Sequence, residues 1–94
     1  MVGRVKYVLI YESAENVAEK APAHAAAHSS HAHAHHQRGS LLLIGPFENA
    51  QQHGAMGVFT THEAAEEFAL TDPFVLNGVV SAWHVRAWHE LLHG

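Results

Sequence analysis

An α+β fold in the element order β-α-β-β-α-β is predicted by three features of this 94-residue chain. Apolar, β-branched runs occupy residues 5–11, 41–44, 55–61 and 79–88. A long stretch without helix breakers separates the first two runs, and a shorter amphipathic stretch separates the last two. Residues 47–54, between the second and third runs, are a polar connection, so one helix falls on either side of a central β-β step.

The first strand, Val5-Lys6-Tyr7-Val8-Leu9-Ile10-Tyr11, has the β-branched and aromatic composition that packs well on a pleated surface. Residues 13–20 are polar and read as a loop or helical turn. Pro22 suits the first turn of a helix, where its missing N–H costs nothing. That Ala- and His-rich helix runs to Arg38 and stops at Gly39. Leu41-Leu42-Leu43-Ile44 forms the second strand, ended by Gly45-Pro46, and residues 55–61 alternate loosely as the third. Thr60 with Glu63 fits a capping box ahead of a second helix whose stripe is Ala65, Phe68 and Ala69. This helix must end at Asp72, because the ring of Pro73 disfavours α geometry in the residue before it. Gly78 then releases the chain into the fourth strand, and Asp72 is pinned at a helix–loop–strand junction.

This order is the split βαβ pattern of a ferredoxin-like fold, a four-stranded antiparallel sheet with both helices on one face. The other face needs a cover. The second strand is apolar on both sides, and the fourth divides Val79, Trp83 and Val85 from Val80, Ala82 and Trp88. A second copy supplies the simplest cover, since identical patches complement each other about a two-fold axis. The expectation is a homodimer.

Residues 1–94 are expected to form a single domain, with a core that is marginal for a monomer. A hydrophobic fraction of 48% with only 15% charged residues excludes wholesale disorder. Net charge is −4 with neutral histidines, and the five Lys and Arg are scattered. No basic stripe is available to neutralise phosphates, so nucleic acid is not an expected partner. The chain has no cysteine, which excludes disulfides and thiolate metal sites. Its apolar runs fall far short of a bilayer span. Met1-Val2-Gly3 leads straight into the first strand without the apolar core of a signal peptide. A cytoplasmic protein with no membrane contact is expected.

Taken together, four segments resemble the YCII-related (YciI-like) family of small α+β barrel proteins. They are the strand Lys6 to Tyr11, Pro22-Ala23-His24 with His28 eleven residues before Gly39, Leu41-Leu42-Leu43-Ile44-Gly45-Pro46, and Asp72-Pro73-Phe74 with Gly78-Val79. The resemblance implies a ferredoxin-like subunit whose dimer packs its sheets into a barrel. It also implies an active site made by a helix-1 histidine, here His28, and the aspartate of the Asp-Pro-Phe motif, here Asp72. The family has no single shared reaction; some members resemble dehydrochlorinases of chlorinated aromatic breakdown products. This chain departs from the family along the first helix, where Ser29, Ser30, His31, His33 and His35 replace bulky apolar residues.

A histidine held by a carboxylate is the simplest general acid–base unit. The aspartate accepts the Nδ1 proton and fixes the tautomer, leaving Nε2 to move a substrate proton. Without a cysteine, a serine elbow or a phosphate-binding glycine loop, covalent and phosphoryl-transfer chemistry have no support. The expected function is therefore lyase- or isomerase-like proton transfer on a small molecule by His28 and Asp72, dehydrochlorination being one form. The substrate pocket is expected around His24, Tyr11, Pro46 and Phe74, and no cofactor is required. The bland reading is that Asp72 only caps a turn.

A competing reading rests on His24, His28, His31 and His35, spaced by four, three and four. At about 100° per residue they share one narrow stripe, and imidazoles one turn apart can share Zn²⁺ or Ni²⁺. A working site needs a third ligand from elsewhere, for which Asp72 and His84 are the candidates. On that reading the chain is a non-catalytic ligand- or metal-binding accessory domain with a His-rich helix.

Overall fold

The computed structural model describes residues 4–94; the reading made of Met1-Val2-Gly3 lies outside them. Strand β1 (Arg4–Ser13) is followed by a helical turn α1 (Val17–Lys20), a 3₁₀ turn (Ala21–His24) and the long helix α2 (Ala25–Gln37). Then come β2 (Leu41–Pro46), the one-turn α3 (Ala50–His53), β3 (Ala55–Phe59), α4 (His62–Thr71), the one-turn α5 (Pro73–Leu76) and β4 (Val80–Glu90). The four strands lie in the order β2-β3-β1-β4 with every neighbouring pair antiparallel. This is the expected ferredoxin-like sheet, with α2 and α4 as its two long helices.

Pairing in the sheet sets the two faces. Leu9 lies opposite Val85, and Tyr11 opposite Trp83 and Ala55. All of these pack with Leu41, Phe59 and the α4 residues Ala65, Phe68 and Ala69 in the helix-side core. On the other face Val8 and Ile10 pair with Val58 and Met56 of β3 and with Arg86 and His84 of β4. Leu43 and Trp88 fall on that same face by register and stay 68% and 48% exposed. Val80 does not join them. A bulge between Glu12 and Ser13 shifts the β1–β4 register, and Val80 turns into the helix-side core.

Helix α2 has no apolar side chain larger than alanine, yet it is docked. Histidines take the place of the missing apolar stripe. His35 is buried, with its ring 5.1 Å from that of Phe68 in edge-on contact. His31 lies 4.6 Å from the same ring, and its Nε2–H donates to the Phe68 carbonyl at 3.0 Å. An aromatic body with a polar tip suits this position, which is half core and half backbone. Through His31 and His35 the stripe is the inward face of the helix.

Local signals at α4 shift by one residue from expectation. Thr61, not Thr60, is the N-cap; its hydroxyl accepts from the Ala64 N–H at 3.1 Å. Asp72 has the extended backbone that the following proline demands, and it ends α4. The junction beyond it is a further helical turn, α5, with Pro73 at its first position. One glycine also shapes the site from behind. Gly54 has φ +74°, and a Cβ there would lie 1.8 Å from the Tyr11 carbonyl oxygen. Only glycine lets β3 begin this close to the end of β1.

Candidate active site

Three separate parts of the chain meet at one carboxylate. Tyr11 comes from the end of β1, His28 from the first turn of α2, and Asp72 from the α4–α5 junction. Asp72 is fully buried. Its Oδ1 accepts from His28 Nδ1–H at 2.8 Å and from the Phe74 backbone N–H at 3.0 Å. Its Oδ2 accepts from the Tyr11 hydroxyl at 2.7 Å. Asp72 is therefore both a cap of α5 and a clamp on two side chains from elsewhere.

Electrostatics follow from this donor set. Burial alone would push the Asp72 carboxyl up, but hydrogen bonds from His28, the Phe74 N–H and Tyr11 more than offset it, and Asp72 lies below the usual carboxylate range. Tyr11 moves the other way. Burial, together with the neighbouring Asp72 charge, raises the phenol, so it remains a protonated donor. The His28 ring is clamped on its flat side too, stacked on Phe74 with centroids 3.9 Å apart and planes 7° from parallel. Because a carboxylate can only accept, the proton of a neutral His28 sits on Nδ1 and its lone pair on Nε2. Among the described residues, Nε2 has no hydrogen-bond partner.

The His28 ring lines a cleft of about 620 Å³ between α2 and the sheet, a volume suited to a small organic molecule. Apolar residues such as Leu9, Leu41 and Ile44 form its sheet side. Its polar side chains are Tyr11, His28, Ser29, His33 and His36, four of them from α2. Of the expected pocket residues, Tyr11, Pro46 and Phe74 line the cleft, whereas His24, in the 3₁₀ turn before α2, does not. A family model of the YCII-related domain matches residues 5–89. This chain belongs to the YCII-related family.

The fold of this YCII-related chain is shared with 5-chloro-2-hydroxyhydroquinone dehydrochlorinase of Burkholderia phenoliruptrix, whose structure holds 2,5-dihydroxybenzoquinone. The two superpose with a TM-score of 0.70, over 95% of each chain at 16% identity, a likeness of fold. Among curated proteins none matches the chain by sequence.

The metal set His24, His28, His31 and His35 needs correction. Among the described residues no group of three or more His, Asp or Glu side chains converges to hold an ion. The helical stripe is real, but its members are engaged with the rest of the fold, and His31 and His35 share Phe68 with their own rings 4.5 Å apart. His28 Nδ1 binds Asp72, His31 Nε2 binds the Phe68 carbonyl, and the His35 ring packs on Phe68. Neither suggested third ligand is placed to help. Asp72 is fully buried with three donors already on it, and His84 pairs with Ile10 on the opposite face of the sheet. No helix among the described residues is long and apolar enough to cross a membrane.

Two features of the site escaped the sequence reading. The Tyr11 hydroxyl is a donor to Asp72 as well as a pocket residue, and the alternation Tyr7, Leu9, Tyr11 on the helix-facing side is the sequence signal for it. His33 and His36, which lie off the His24–His35 stripe, also line the cleft.

Proposed function

We propose that this YCII-related protein is a small-molecule lyase or isomerase in which His28 moves the proton and Asp72 holds His28. The observation that carries the reading is the buried Asp72 carboxylate with its three donors, bound to an imidazole on the wall of an apolar cleft. Nε2 takes a proton from an acidic O–H or C–H of the ligand, and the imidazolium is stabilised by Asp72 at its other nitrogen. Returning the proton to a different ligand atom completes an isomerisation. Loss of an anionic leaving group instead completes an elimination. Tyr11 keeps Asp72 oriented, and Phe74 keeps the imidazole plane fixed, so both act as positioning residues.

The proposed assembly is a homodimer that covers the helix-free face of the sheet. Exposed Leu43 and Trp88 beside Val8, Ile10 and Met56 make a patch that favours burial.

The test starts from the compound in the neighbour's name, 5-chloro-2-hydroxyhydroquinone, read by chloride release. It extends to enolisable hydroxyquinones, read by deuterium uptake in heavy water. Turnover by the wild type should fall on the order of 10²- to 10⁴-fold in His28→Asn, with the fold intact. Turnover that survives His28→Asn overturns the assignment. Ligands that bind and never react would leave a non-catalytic binding domain.

A further inference from the structure

The cleft holds a second imidazole whose tautomer is set by the protein. His36 Nδ1 lies 2.7 Å from the Leu41 backbone carbonyl. A carbonyl can only accept, so the proton is on Nδ1 and a neutral ring carries its lone pair on Nε2. His28 has the same arrangement, with Asp72 in place of the carbonyl. Both rings line the same cleft, and neither Nε2 has a hydrogen-bond partner among the described residues. Eight residues separate them on one helix, which at 1.5 Å per residue is roughly 12 Å along the axis. Ala32, midway between them, is too small to close the space, and Leu9, Leu41 and Ile44 make the opposing wall apolar. No Lys, Arg, Asp or Glu side chain lines the cleft among the described residues.

We infer that His36 is a specificity-determining residue that reads the far end of the ligand. The class of ligand is an elongated, flat, uncharged molecule with an acidic O–H near each end, set on the order of 10 Å apart. One O–H is received by His28 Nε2 and the other by His36 Nε2, while the apolar body lies over Ala32. This deepens the function proposed above and rests on it for the role of the cleft. Ser29 and His33 are the other α2 polar side chains on this wall, and His36 is the one at the end far from His28 whose Nδ1 proton is fixed by a backbone carbonyl.

Two probes separate these cases: para,para′-dihydroxybiphenyl, with a phenol at each end, and para-hydroxybiphenyl, with one. Titration calorimetry on the wild type should show the diol binding about 3- to 10-fold more tightly, beyond the statistical gain of its two equivalent ends, which is the worth of one net hydrogen bond. In His36→Ala this preference should vanish. Equal binding by the wild type, a preference that persists in His36→Ala, or binding of neither probe would each overturn the inference. Nitrogen NMR of the unmutated protein removes any dependence on the variant's folding. The His36 Nε2 resonance should move with the diol, and a resonance unmoved by the diol refutes the contact. Neither readout needs turnover, so loss of the His36 inference and loss of the His28 proton-transfer reading remain distinguishable.

Discussion

Replacing Asp72 by alanine strands three donors at once, and their costs can be worked from their surroundings. The Tyr11 hydroxyl belongs to a side chain only 6% exposed and would be left without an acceptor. A buried unpaired donor costs about 1–3 kcal/mol. The Phe74 N–H loses its cap, for about 1 kcal/mol. The His28 side chain is 22% exposed and can turn toward water, so it adds least. Against these losses stands the burial cost of the carboxylate itself, which alanine relieves. The net expectation is a loss of about 2–4 kcal/mol, or roughly 10–30 °C of melting temperature for a domain of this size. Asp72→Asn should behave differently. Its amide oxygen can accept from His28 and Phe74, and its amide N–H can donate to the Tyr11 oxygen, which also accepts. About 1 kcal/mol should be lost. Circular-dichroism melts at neutral pH and one fixed protein concentration read both variants, since association shifts apparent stability. An alanine variant melting within a degree or two of wild type refutes the reasoning, because it means that the carboxylate satisfies nothing that water cannot.

Acid should destabilise the fold in two stages. The His35 ring is held below the ordinary histidine value of 6.5 by burial first, then by His31 and Arg38, against Glu67 and Asp72, so its contribution is full above pH 6.5 and is lost as pH falls through the depressed range. Asp72, also depressed, adds a second loss below pH 3.8. Melting temperature measured against pH should show the first stage in wild type but not in His35→Leu; an identical slope in both disproves the assignment. Gly54→Ala meets the Tyr11 carbonyl at 1.8 Å and needs a nearly glycine-only backbone conformation, so a loss of more than about 3 kcal/mol is expected. A soluble variant with wild-type melting would contradict it. Trp88→Glu on the open face should convert the proposed dimer to monomer in light scattering; a wild type that is already monomeric at micromolar concentration removes the basis for that prediction.

Local chemistry in the sequence was sufficient for the element order. Pro73 stops α4 at Asp72 through a steric clash within one dipeptide, and the alternation from Tyr7 to Tyr11 reports one face of a strand whatever packs on it. Asp72 could be singled out for the same reason, whereas His28 was nominated through the resemblance to the YCII-related family, by its place eleven residues before Gly39. Helix α2 was beyond such reasoning. Its alanines and histidines have no apolar side to declare, and the buried side was chosen by the Phe68 ring across the core. The same holds for the site. Tyr11 and Asp72 are 61 residues apart, and His28 and Asp72 are 44 apart. No local propensity links them, and their hydrogen bonds exist only because β1, α2 and the α4–α5 junction converge on one buried point. Residue types capable of acid–base chemistry were written in the sequence; the proton carried by each imidazole nitrogen was decided by the tertiary fold, because the acceptor that fixes it comes from another element.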